Sequence, residues 1–183
     1  MLNHLINTCI LSLAYITAYS LNLGFFMPLQ EILAPNFSKL VALIFLPHGI
    51  RVLAFVFYGW KAAIYLTPGV YLMWLLSVFG NNIGLNFLAP MVSLAACWVA
   101  CIVKPYIFTT KPGLETLISW KNTVLVGFLA TILNGTGLSL LHNQSLSSDL
   151  LGYIIGDMVG LAITLLVLML IFRFLRMYRT NDW

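Results

Sequence analysis

Six stretches of this chain are apolar for about 20 residues each: 5–27, 39–60, 62–80, 86–108, 122–142 and 150–172. A helix needs about 20 such residues to cross a bilayer. In lipid only a helix or a closed barrel satisfies every backbone donor and acceptor. Runs of this length therefore leave little choice of fold. The connectors are short and rich in Gly, Pro and Asn, as in "GNNIG" and "HNQSLSSD". They predict an all-α bundle of about six transmembrane helices, with residues 1–183 as a single membrane domain. Composition agrees, since 61% of residues are hydrophobic and 8% charged, too few charges to solvate a compact surface. The run from Leu5 to Met27 is too long for the core of a cleaved leader, and no Lys or Arg precedes it. It reads as a retained first span.

The net charge of +4 points to orientation rather than to nucleic acid. With six spans, Lys61, Lys104, Lys111, Lys121, Arg173, Arg176 and Arg179 all fall on the side of the two termini, and only Lys39 lies in a loop on the other. That asymmetry predicts cytoplasmic N- and C-termini. The connector 104–121 mixes Leu117, Ile118 and Trp120 with charge, which suits an interfacial helix. Cys9, Cys97 and Cys101 lie within apolar segments and lack neighbours at metal-ligand spacing, so they read as small hydrophobes. No paired Cys motif, HExxH, glycine-rich phosphate loop or nucleophile-and-base pattern is present. The sequence thus predicts neither an enzyme nor a cofactor or metal site. Sequon matches at 36–38, 134–136 and 143–145 are short enough to arise by chance.

The informative residues are the polar ones inside the apolar runs. "FLPHGIRVLAFVFYGW" at 45–60 places Pro47, His48, Gly49 and Arg51 within the second span. Pro47 removes a backbone donor and clashes with the carbonyl four residues earlier, so a kink or break is predicted there. A half-helix starting inside the membrane would turn its positive end toward a cavity, favouring a small anionic ligand. A charge at that depth costs about 2.5–3.5 kcal/mol on insertion scales and calls for a partner in the bundle interior. His48 and Arg51 are three apart and share a helix face. Asp157, about seven residues into the sixth span, lies at similar depth and is the expected partner of His48 and Arg51. Gly152, Gly156 and Gly160 repeat every four residues, a smooth strip for close approach. Asn134 on the fifth span reaches the same depth, and Asn81, Asn82 and Asn86 cluster at the outer ends of the third and fourth. The set predicts a polar cavity open to the outer face. The same residues also fit a purely structural ion pair with Asn134 as interhelical glue.

The stretch "FLPHGIRVLAFVFYGWKAAIYLTPG", the opening "LSLAYITAY" and the closing "IIGDMVGLAITLLVLMLIFR" together resemble the membrane-associated sensor domains of the first MASE class. Pro47, Gly49, Gly59, Gly69, Gly156, Asp157 and Gly160 match that pattern, and Asn81 or Asn82 falls where the family often has an asparagine. The resemblance implies a bacterial inner-membrane sensory module of the kind usually fused to a kinase or cyclase output domain. Two departures stand out. His48 and Arg51 are more charged than the family pattern, and the sequence ends seven residues after Arg176 with no output domain.

The expectation is therefore a sensory or ligand-binding module that signals through a partner protein in trans. The alternatives are a substrate-binding or accessory subunit of a transporter, and a structural subunit of a larger membrane complex.

Overall fold

The computed structural model describes residues 2–33, 42–81, 86–107, 119–142 and 146–180. Among these residues every regular element is helical. Helix α1 (Leu2–Leu21) runs through a π-helical turn, Asn22–Phe26, into α2 (Met27–Leu33). The others are α3 (Leu46–Tyr58), α4 (Lys61–Asn81), α5 (Ala89–Ile107), α6 (Trp120–His142) and α7 (Leu146–Thr180). Four helical segments are long and apolar enough to cross a membrane: Leu2–Leu33, Lys61–Phe79, Trp120–Leu141 and Leu151–Tyr178. The exterior agrees with a membrane protein. Ile32, Phe79 and Tyr106 are each more than three-quarters exposed, an oily surface that water would not tolerate at this extent.

The remaining two helices, α3 and the apolar part of α5 (Ala89–Lys104), are shorter. At 1.5 Å per residue the 13 residues of α3 reach roughly 20 Å, short of a hydrocarbon core of about 30 Å. Residues 42–45, just before it, are not helical. Pro47 consequently lies in the opening turn of α3, where its missing N–H is one the helix would leave unpaired anyway. Where the sequence predicts a kink or break at Pro47, the described residues show a helix start at Leu46; residues 34–41, which a span over 39–60 would need, lie outside the described residues.

Helix α3 occupies the centre, packing against α1, α4, α5, α6 and α7. Its buried face carries Pro47, His48, Gly49, Arg51, Val52 and Phe55. The apolar core around it draws on every long helix, with Tyr15, Leu66, Ala100, Ala130 and Leu161 closing on Val52 and Phe55. The turn from α3 into α4 needs Gly59, whose φ of 57° with ψ of −141° belongs to a region that side-chain-bearing residues avoid.

The glycine strip on α7 meets a different partner from the helix expected for it. A Cβ at Gly156 would collide with the Ala42 carbonyl, and one at Gly160 with the Phe45 carbonyl. One at Gly49 would collide with Thr164 of α7. The strip therefore seats the non-helical segment 42–45 and the first turn of α3, with Gly152 buried on the same helix. That segment needs hydrogen-bond partners in a dry interior. The Phe45 N–H donates to the Gly156 carbonyl at 2.9 Å, and the Leu43 N–H donates to Gln30 Oε1 at 2.7 Å.

Candidate functional site: a closed polar cluster on the central helix

Because α3 starts at Leu46, His48 and Arg51 fall within its first two turns, facing into the bundle. His48 is fully buried and Arg51 and Asp157 are each 2% exposed. His48 Nδ1 lies 3.3 Å from Asp157 Oδ2. This is ion-pair distance, although neither atom is aligned for a hydrogen bond. Across the ring, His48 Nε2 lies 3.3 Å from the Gly127 carbonyl and 3.2 Å from Thr131 Oγ1. The Thr131 hydroxyl itself donates to the Gly127 carbonyl at 3.0 Å. One imidazole thus ties α3 to α7 on one side and to α6 on the other.

Arg51, one turn along α3, stands over the Phe45 ring with its guanidinium carbon 5.6 Å from the centroid. A cation over an aromatic face gains about 0.5–2 kcal/mol. That does not satisfy the hydrogen-bonding nitrogens, and Arg51 Nε and Nη2 have no hydrogen-bond partner. Tyr15 and Tyr19 of α1, Cys97 of α5 and Asp157 form its electrostatic surroundings. Tyr19 also meets the Phe45 ring edge-on at 6.1 Å. The ion-pair contact of Asp157 comes from His48, one of the two basic residues that the sequence set against it.

The other predicted residues are distributed as follows. Asn134 is buried, but its Oδ1 accepts from Ser93 Oγ of α5 at 2.8 Å, one turn beyond Thr131. It pins α5 to α6. Asn86 accepts from the Leu88 N–H in a local turn. Asn82, Lys39, Lys111, most of the connector 104–121 and the sequons at 36–38 and 143–145 lie outside the described residues. The site that the sequence drew as an open cavity is closed at His48, Arg51 and Asp157, with almost no solvent contact.

Sequence reasoning missed Thr131, Gly127 and Tyr15. Thr131 stands three residues before Asn134, so its helix position was available. The carbonyl of Gly127 carried no signal, because any residue has one.

The Ser93–Asn134 bond offers a calibration of a purely structural polar contact. Interhelical hydrogen bonds in membrane bundles average about 0.6 kcal/mol. Ser93→Ala is expected to lower stability by about that amount, read as a small fall in the thermal midpoint in detergent.

Compared with protein-family models, with curated proteins and with solved structures, the chain finds no match in any of the three.

Proposed function

We propose that this chain is an integral membrane sensory module in which the His48–Asp157 contact latches α3 to α7. Its state would be passed along α7 to a partner protein. The observation that carries this reading is the latch itself: two ionisable side chains, both buried, joining the central helix to the chain's longest one. Such residues inside a bundle are costly to keep, and where they occur they commonly mark a working site. Helix α7 is 35 residues long, about 52 Å at 1.5 Å per residue. Its N-terminal half is clamped by the glycine strip, and from Leu166 to Tyr178 almost every residue is exposed. A change at Asp157 is thus made on the clamped half and would be delivered on the free half. The resemblance to first-class MASE domains points the same way, since the output there follows the last helix.

The six-span arrangement with both termini cytoplasmic belongs to this proposal and rests on the placement of the basic residues, and its inner-membrane location rests on the resemblance. A small anion is a candidate ligand because Arg51 Nε and Nη2 are unpartnered. The transporter reading is favoured by one feature, a short apolar helix entered from non-helical backbone, a form common around transported substrates.

The test is the distance between spin labels at Phe57 on α3 and Phe172 on α7, which are 50% and 61% exposed. Labels are placed in a Cys9→Ala, Cys101→Ala background reconstituted in lipid nanodiscs. Asp157→Asn is expected to displace the distance distribution by at least about 1–2 Å, the scale of helix shifts in switching proteins. An unchanged distribution in a variant that retains its helix content would sink the latch.

A further inference from the structure

We infer that His48 and Asp157 form a proton-binding site, so that the ligand of the proposed latch is a proton. This rests on reading the α3–α7 contact as the switch. The argument is a count of donors. The Gly127 carbonyl can only accept, and Thr131 Oγ1 already gives its proton to that carbonyl. Both therefore ask His48 Nε2 to be the N–H donor. With one proton on Nε2, a neutral imidazole presents a bare lone pair at Nδ1. That lone pair would face a carboxylate oxygen 3.3 Å away. With one further proton, on Nδ1 or on the carboxyl, and a small side-chain rotation that aligns the two atoms, the contact turns favourable. At 3.3 Å the two atoms are close enough to share that proton, and the donor count gives the pair a reason to hold it.

The same surroundings give a reason to release it. The titratable and charged groups around the pair are Arg51 on the same helix and, around Arg51, Tyr15 and Tyr19 of α1 and Cys97 of α5. α6 contributes only the neutral carbonyl and hydroxyl, and among the described residues α4 supplies none. With the proton in place the His48–Asp157 pair is neutral overall, and the buried Arg51 has no compensating charge. With the proton gone, Asp157 compensates Arg51, but the lone pairs at 3.3 Å repel. Each state meets one demand and breaks the other, which is how a site comes to have two accessible states rather than one.

Closure then links the proton to motion. His48 is 0% exposed, so water reaches Nδ1 only when α3 and α7 part. A proton leaving the pair passes to water as hydronium, and one entering arrives the same way. Loss of the proton also removes one attraction between α3 and α7, leaving the glycine-strip packing and the Phe45–Gly156 hydrogen bond.

The test uses the full chain in nanodiscs with nitrogen-15-labelled histidine. His4→Gln and His142→Gln leave His48 as the sole histidine of the three in the sequence. Imidazole nitrogen spectra are recorded across the pH range in which helix content is constant, alongside the Phe57–Phe172 label distance. The expected result is a reversible change in the Nδ1 signal of His48 that is lost or displaced in Asp157→Asn. A His48 signal that keeps one form throughout that range overturns the proposal, and the unsubstituted pair suffices to see it. If His48 titrates while the distance stays fixed, the proton site stands and the sensory reading falls. If His48 does not titrate yet Asp157→Asn moves α7, the sensory reading stands and the proton is not its ligand.

Discussion

Asp157→Leu is expected to destabilise the bundle by about 3–5 kcal/mol, the cost of breaking a buried charge constellation from one side. Of the chain's five acidic residues, Asp157 is the one found buried among the described residues. Its removal leaves Arg51, itself 2% exposed, as an uncompensated charge in a medium that screens poorly. The double variant Arg51→Leu, Asp157→Leu removes both charges and fills the space with apolar atoms. It is expected to recover part of the loss, since the buried Arg51 charge is removed together with the carboxylate that compensated it. Thermal unfolding of the three proteins in one detergent measures this directly. Equal losses in the single and double variants would show that an uncompensated Arg51 charge is not the source of the loss. The label distance on the double variant then separates scaffold from switch. A stable double variant whose α7 still responds to pH as the parent does would make the charges a scaffold, whereas a stable one that no longer responds would make them the working parts.

The sequence was informative where energetics left one option. A carboxylate and two basic side chains in apolar runs had to find one another, so matched depth alone brought His48 and Asp157 to the same place. It could not decide which basic group takes the carboxylate. His48 and Arg51 differ by less than one helical turn, and the choice depends on where α3 begins. The apolar run 39–60 reads as one span with a kink or break at Pro47, which leaves the first residue of the helix open. A start at Leu46 turns Pro47 into a first-turn residue and sets the phase of everything after it. That phase brings His48 to the carboxylate and leaves Arg51 against the Phe45 ring.

Asn134 illustrates the same limit. Depth and polarity grouped it with the cluster, yet its amide found the Ser93 hydroxyl of the neighbouring α5 first. A serine in an apolar helix gives no advance notice of such a bond. The glycine strip was legible as a surface for close approach, because a spacing of four puts all three glycines on one face. What approaches it was not legible. The strip seats a stretch of irregular backbone, whose sequence trace is the break signal of Pro47 just after it.

Gly160→Ala is expected to be among the most damaging single-methyl additions available in this chain. The new Cβ would meet the Phe45 carbonyl and come within 2.9 Å of the Leu46 nitrogen. These are backbone atoms, so no rotamer change relieves the contact, and the segment 42–45 must lift from α7. Overpacking of this kind costs about 1–3 kcal/mol and occasionally more. Loss of the Phe45–Gly156 hydrogen bond of 2.9 Å adds about 0.5–1.5 kcal/mol. Two companion variants calibrate the claim. Gly127→Ala meets the tip of the Leu161 side chain, which can rotate away, so a smaller loss is expected. Gly24→Ala meets nothing within 4 Å and is expected to be neutral or slightly stabilising, because alanine restricts the unfolded chain more than glycine does. Thermal midpoints should therefore fall in the order Gly24→Ala, Gly127→Ala, Gly160→Ala. If Gly160→Ala melts with Gly24→Ala, the segment 42–45 is not seated on α7. The start of α3, and with it the phase that aims His48 at Asp157, would then have to be set by something other than the glycine strip.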